Sequence, residues 1–190
     1  MVDIGDDTPK RLLAQLKHEA RVHDEDTFTR RHAGWWLLGY IPRERDDDDD
    51  EWSFATDVRA IDSRGLATPG RSMPPGDAER LLWRIEKTDR NTWKSRISVG
   101  RATNNDIVIR HDSVSKLHAH FHQGALARLK LSDGLLLADV GSANGTTLDG
   151  RPLPVDDTVT VKSGAHIEFG NIHCELFDVK ALFKRLRMML

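Results

Sequence analysis

The chain of 190 residues carries 28 basic and 30 acidic side chains, is 38% apolar and has a mean hydropathy of -0.51, the profile of a soluble protein of one or two domains. Its longest apolar stretch, 34–41, is less than half of the about 20 residues that a bilayer-crossing helix needs, and residues 1–7 lack the basic-then-apolar order of a signal peptide. A cytoplasmic protein without a membrane span is therefore expected, and its lone Cys174 excludes both an internal disulfide and a thiolate metal site.

Charge is split unevenly. Residues 1–80 hold 12 basic and 18 acidic side chains, and residues 81–190 hold 16 and 12, so the C-terminal part is the better host for an anionic ligand. The excess falls short of the clustering that nucleic acid asks for, and no nucleic-acid partner is expected.

In chain order, Thr8 as N-cap, Pro9 at the first helical position and Leu12, Leu13, Leu16 and Ala20 at helical spacing predict a short amphipathic helix. The acidic residues Asp24, Glu25 and Asp26 follow, then Trp35, Trp36, Leu37 and Leu38, and then five aspartates at 46–50, which read as a solvated loop. Residues 51–61, with Trp52, Phe54, Val58 and Ile61, are expected to form a strand that pairs with 35–41 across that loop. Glycine, proline and serine dominate 62–77, the best candidate linker, so residues 1–79 read as an N-terminal extension.

Beyond Leu81 the pattern becomes short period-two runs: Ile97 and Val99, Ile107 and Ile109, Ala119 and Phe121, Leu129 and Leu131, Leu135 and Leu137, Val159 and Val161, Ile167 and Phe169, and Ile172, Cys174 and Leu176. Turn dipeptides (Asp133-Gly134, Asn144-Gly145, Asp149-Gly150) punctuate them, as in a sandwich or barrel. The period then changes. Val179, Leu182, Phe183, Leu186, Met189 and Leu190 share a helical face and Lys180, Lys184, Arg185 and Arg187 point away, which predicts a terminal amphipathic helix packed by its apolar side, with only a weak capacity to touch an anionic membrane.

Two polar, glycine-bearing loops interrupt the strands. The first runs Gly100, Arg101, Ala102, Thr103, Asn104, Asn105, Asp106 and resumes at Ser113, Val114, Ser115, Lys116, Leu117, His118; the second is Asp139, Val140, Gly141, Ser142, Ala143, Asn144, Gly145, Thr146. Gly-Arg at a strand end, an Asp five residues after the Arg, Ser-x-x-His and Gly-Ser-x-Asn-Gly-Thr, in that order, resemble the forkhead-associated (FHA) domain over about residues 81–177, with Phe169-Gly170 similar to its closing strand. One position departs: Ala165 follows Gly164 where the family commonly has Asp. The resemblance implies an all-β, two-sheet sandwich over 80–178; the helix-plus-strand extension before it and the C-terminal amphipathic helix over 179–190 after it follow from composition and spacing.

It also implies recognition of phosphothreonine in a partner protein, the substrate of a Ser/Thr kinase, by a non-catalytic adaptor without a cofactor. A phosphate brings a charge of about -1.5 to -2 and strong acceptors, so its site needs cationic and hydroxyl donors on a rigid scaffold. By the resemblance Arg101 and Ser115 bond the phosphate, Lys116 adds charge and Asn144 holds the peptide backbone. Gly100, Asp106, His118, Ser142, Gly145 and Thr146 support the loops, with His118 bracing the Ser115 loop.

Other readings compete at named residues. As a general base His118 lacks a motif for nucleophile and orienting group. His118, His120 and His122 alternate along a strand and could face one metal ion, although no cysteine or HExxH helix completes a site, so the expectation is that Ala119 and Phe121 face the core while His120 and His122 face solvent. Trp35, Trp36 and Trp52 motivate an alternative in which the fold serves phosphate-independent interaction or self-association. Thr8 and Thr27, next to acidic residues, are candidate phosphorylation sites for binding to the chain's own tail or a sister chain.

Overall fold

The computed structural model describes residues 8–42, 78–122 and 134–190. The strand expected over 51–61, the aspartates at 46–50, the linker over 62–77 and the strand at Leu129 and Leu131 lie outside the described residues.

Helix α1 (Thr8–Val22) buries Pro9, Leu13, Leu16 and Ala20, one stripe at three- and four-residue spacing. A second helix, α2 (Glu25–Arg31), adds to the single helix expected in this region. Hydrophobic periodicity does not announce it, because only Phe28 of its seven residues is buried. Its ends do: the Asp24 carboxylate accepts the Thr27 N–H at 2.7 Å, and acidic Glu25 and Asp26 start the helix that basic Arg30 and Arg31 finish.

Strand β1 (Trp35–Ile41) follows, and its expected pairing with 51–61 is corrected. Its two edges are held by β2 (Glu79–Arg84) and β11 (Ile172–Asp178), with Leu38 opposite both Leu82 and Glu175. The physical reason lies in its composition: all five residues between Trp35 and Ile41 are buried, and an unbroken apolar run suits a strand covered on both faces. Leu37 enters the core between the sheets, while Trp36, Leu38 and Tyr40 enter a second core under the helices.

The remaining strands are β3 (Arg96–Gly100), β4 (Ile107–Val108), β5 (Ala119–His122), β6 (Gly134–Asp139), β7 (Thr146–Leu148), β8 (Arg151–Pro152), β9 (Thr158–Lys162) and β10 (His166–Phe169). They complete two sheets, ordered β2-β1-β11-β10-β7-β8 and β4-β3-β5-β6-β9. Pairing is antiparallel except between β3 and β4, where Val99 lies beside Ile107 in parallel. Ile97, Val99, Phe121, Leu137, Ile167, Phe169, Cys174 and Leu176 fill the space between the sheets, so the period-two runs supply a sandwich core. The turn ahead of β10 closes without a side-chain carboxylate at Ala165: the Gly164 N–H donates to Leu176 O at 2.7 Å and the Ala165 N–H to Lys162 O at 3.1 Å.

Helix α3 (Val179–Met188) begins at Asp178, whose carboxylate accepts the Lys180 and Ala181 N–H groups at 2.8 and 2.9 Å. Val179, Leu182, Phe183 and Leu186 are buried against α1, α2 and the outer side of β1 and β11. Leu190, read as part of the same stripe, stands beyond the helix and is exposed. No helix of the described residues is long and apolar enough to cross a membrane.

Candidate functional site

Three loops meet at one end of the sandwich: 101–106 after β3, 109–118 between β4 and β5, and 140–145 after β6. The first two are laced by backbone bonds from Arg101 N to Ser115 O at 2.9 Å, Ala102 N to Lys116 O at 3.2 Å and Ile109 N to Gly100 O at 3.0 Å. Asn105 adds a side-chain clamp, its Nδ2 donating to Lys116 O at 2.6 Å and to Ala102 O at 2.9 Å. Approach this close needs glycine at position 100, where a Cβ would lie 2.4 Å from Lys116 O and 2.8 Å from Asn105 Nδ2.

The third loop is bound to the second through the residues singled out in the sequence. Ala143 N–H donates to Ser115 Oγ at 2.9 Å, and Asn144 Nδ2 to Ser113 O at 2.8 Å. His118, wholly buried, lies between them. Its Nδ1 accepts the Ser115 N–H at 3.1 Å, which leaves Nε2–H to donate to the Gly145 carbonyl at 3.0 Å. Burial lowers its pKa, against the Gly145 bond and the Asp139 charge that favour the cation. His118 is thus a neutral strut fixed in one tautomer. Gly145 takes a φ of +74°, a left-handed conformation in which glycine carries no side-chain penalty.

Asp139, at the end of β6, organises the third loop. Its Oδ1 accepts the Gly141 and Ser142 N–H groups, both at 2.8 Å, and its Oδ2 accepts the hydroxyls of Ser142 at 2.7 Å and Thr146 at 2.6 Å. Burial would raise its pKa, but the bonds from Ser142, Thr146 and Gly141 prevail and lower it. The sequence motifs alone assign Asp139 a place in the loop but no role. A signal was present: an aspartate two and three residues before a Gly-Ser pair has the spacing of an Asx turn.

Asp106 collects a larger set of donors. Its carboxylate accepts Ser98 N at 2.8 Å, Ser98 Oγ at 3.0 Å, Thr88 N at 2.9 Å, Thr88 Oγ1 at 2.7 Å and Lys87 Nζ at 2.8 Å. Burial opposes ionisation there, yet Lys87, Thr88 and Ser98 hold the carboxyl well below the usual carboxylate range. Asn91 also bonds Asp106, at 3.2 Å, and the Asn104 carbonyl at 3.1 Å. Lys87, Thr88 and Asn91 carry no sequence signal, because they act on a residue 15 to 19 positions away.

Arg101, Lys116 and Asn144 are exposed on these loops and Ser115 is half-buried. Among the described residues the Arg101 side chain donates from Nε to Val114 O at 3.2 Å, which orients the guanidinium and leaves its terminal nitrogens for another acceptor. The hydroxyl of Ser115 accepts from Ala143 and keeps its proton to donate. Arg101 and Ser115 are therefore fixed by bonds that do not use the donors a phosphate would take.

The expectation that His120 faces solvent is corrected. His120 is buried, 7% exposed, with its Nε2 3.0 Å from His122 Nε2 and the two rings edge to face. Its neighbours across the sheet, Ser98 and Ala138, are both buried and leave it little access to water. That burial, followed by the nearby His122 and Arg96, brings its pKa down to about 4. His118 turns instead toward Gly145, so the three histidines do not converge. Among the described residues no three metal-ligating side chains are grouped. Trp36 is buried and Trp35 partly buried within the sheet, while Trp52 lies outside the described residues.

Residues 97–170 match the model of the FHA domain family. Among curated proteins, none matches the chain. Among solved structures the chain is similar to the FHA domain of the CT664 protein from Chlamydia trachomatis, at 22% identity over 51% of this chain and 84% of that one, with a TM-score of 0.40. It is also similar to Mycobacterium tuberculosis EmbR in complex with a low-affinity phosphopeptide, at 23% identity over 44% of this chain and 20% of that one, with a TM-score of 0.37. A third is an engineered FHA protein with a Myc-pTBD peptide, at 13% identity over 82% and 98%, with a TM-score of 0.47. The matched segment, residues 97–170, carries all three loops of this end of the two-sheet sandwich.

Proposed function

We propose that the three-loop end of the sandwich binds a phosphothreonine-bearing segment of a protein partner, and that the protein acts as a non-catalytic adaptor in Ser/Thr kinase signalling. The observation that carries this reading is the arrangement of Arg101 and Ser115 on loops locked to each other, with outward donors uncommitted and Lys116 exposed beside them. In this reading the Arg101 guanidinium and the Ser115 hydroxyl donate to phosphate oxygens, Lys116 adds a cation, and the Asn144 side chain, already anchored to Ser113, presents its Oδ1 to the peptide backbone. The match of residues 97–170 to the FHA domain family supports it.

Charge-assisted hydrogen bonds contribute about 1.5–3 kcal/mol each, so two or three account for most of the roughly 8 kcal/mol of a micromolar complex. Phosphothreonine differs from phosphoserine by one methyl, worth ~0.8 kcal/mol or about fourfold from burial alone, so a stronger preference rests on the stiff χ1 of threonine and on pocket shape.

The test is binding to peptide libraries in phosphothreonine, phosphoserine and unphosphorylated versions, followed by calorimetry on the best sequence. Selective capture of the phosphothreonine set is expected, with Arg101→Ala weakening affinity by about 10- to 100-fold while the circular dichroism spectrum stays unchanged. Equal capture of all three versions, or wild-type affinity in the Arg101 variant, overturns the reading.

A further inference from the structure

The two long helices of the described chain are strongly basic on one side. Helices α1 and α3 together carry eight lysines and arginines and one acidic residue, Glu19, in a chain whose net charge is -2. Of the eight, Lys10 pairs with Glu79 and Arg185 with Glu175, and the acidic Asp24, Glu25 and Asp26 follow Val22 at the start of α2. Both turn their apolar stripes inward onto the outer side of the six-stranded sheet, through Leu13, Leu16 and Ala20 from α1 and Leu182, Phe183 and Leu186 from α3. Their polar sides therefore form one outward surface.

The helices are joined at their C-terminal ends, where Arg187 Nη1 donates to the carbonyls of Ala20 at 3.1 Å and Arg21 at 3.4 Å. Beside this joint stand Val22, 55% exposed, and Met188, 79% exposed, with Leu190 two residues further on at 59%. They are three of the five large hydrophobic side chains exposed among the described residues. Exposed aliphatic groups at the tip of a surface bearing His18, Arg21, Lys180, Lys184 and Arg187 do nothing for the core, which the opposite faces already fill.

We propose that this helical surface docks on an anionic lipid bilayer, with Lys180, Lys184 and Arg21 against the headgroups and Val22 and Met188 inserted at the headgroup boundary. Cations supply attraction to a negative surface, and protruding aliphatic side chains gain by leaving water for the acyl boundary. Single-stranded nucleic acid favours aromatic stacking platforms, which this surface lacks. An acidic peptide would ask for a groove between the helices, where the structure has packed side chains and the Arg187 bonds. The surface lies on the helical layer, and the three loops lie on other elements, so docking leaves them unused by lipid.

The experiment is co-sedimentation of the full chain with vesicles of phosphatidylcholine alone and of phosphatidylcholine with phosphatidylglycerol, at low and high salt. Pelleting with the anionic vesicles only, weakened by salt, is expected. Lys180→Glu with Lys184→Glu should lower the bound fraction about tenfold or more, and Met188→Ser several-fold, with thermal melts showing both variants folded. No pelleting, equal pelleting with neutral vesicles, or undiminished pelleting of the folded double variant overturns the proposal. Binding to polyglutamate or DNA without vesicle binding overturns it as well and assigns the surface to that other anion.

Discussion

Asp106 illustrates how one buried carboxylate carries more than its local turn. It is fully buried at its side chain, and its bonds join β3 to the segment 87–91 ahead of it and to the loop that bears Arg101. Removing it strands the Lys87 ammonium, whose side chain is 18% exposed. Asp106→Ala is therefore expected to cost about 3 kcal/mol or more, as breaking one side of a buried charge pair does, read from the shift of the urea midpoint. Peptide affinity should fall with it, because Asn91 then loses one of its holds beside Asn104. At this scale the motif residues were legible because Gly-Arg, Ser-x-x-His and Gly-Ser-x-Asn-Gly-Thr are short runs of fixed spacing. Lys87 and Asn91 were not, because ordinary polar residues acquire a role only when folding brings Asp106 to them.

At the scale of elements the helical layer rests on a core of its own. Leu186, at 0% exposure, packs with Leu16, Phe28, Trp36 and Phe183 on the side of β1 away from the sandwich interior. Truncation by Leu186→Ala is expected to destabilise the protein by about 2–5 kcal/mol, measured by urea denaturation, the upper end if the cavity fails to collapse. Helices α1 and α3 were readable from apolar spacing, and most of the strands from alternation. Helix α2 was not, since a seven-residue helix with one buried side chain has no period. The place of β1 was also hidden. An apolar run says that both faces are covered but does not name the strands on either edge, and here one partner, β11, lies more than 130 residues away.

For the whole molecule the buried histidines set a pH dependence of stability. His118, His120 and His122 all have pKa values lowered first by burial, with that of His120 at about 4. The unfolded chain takes up a proton near the ordinary value of 6.5, whereas the native state resists it. Stability is thus fully present above 6.5 and declines as pH falls from there toward the lowered native values. Asp106 and Asp139, whose pKa values are lowered also, act in the same direction at more acidic pH, where unfolding protonates them first. Urea midpoints at pH 8, 7, 6 and 5 should be level over the first two and then fall. His120→Gln should flatten that slope, and an unchanged profile in this variant would remove His120 from the account.

What the sequence by itself determined was the alternation that makes strands, the spacing that makes two of the helices, and the order of the Gly-Arg, Ser-x-x-His and Gly-Ser-x-Asn-Gly-Thr segments. These are local, since propensity, turn chemistry and amphipathic period act over a few residues. Only the tertiary structure decided that β1 lies between β2 and β11 in its sheet, that Ser115, His118 and Asn144 tie two loops into one platform, and that α1 and α3 gather their basic sides and exposed tips on one surface. Those features depend on contacts between distant segments, which the packing of two cores on opposite sides of one sheet creates and no short stretch of sequence encodes.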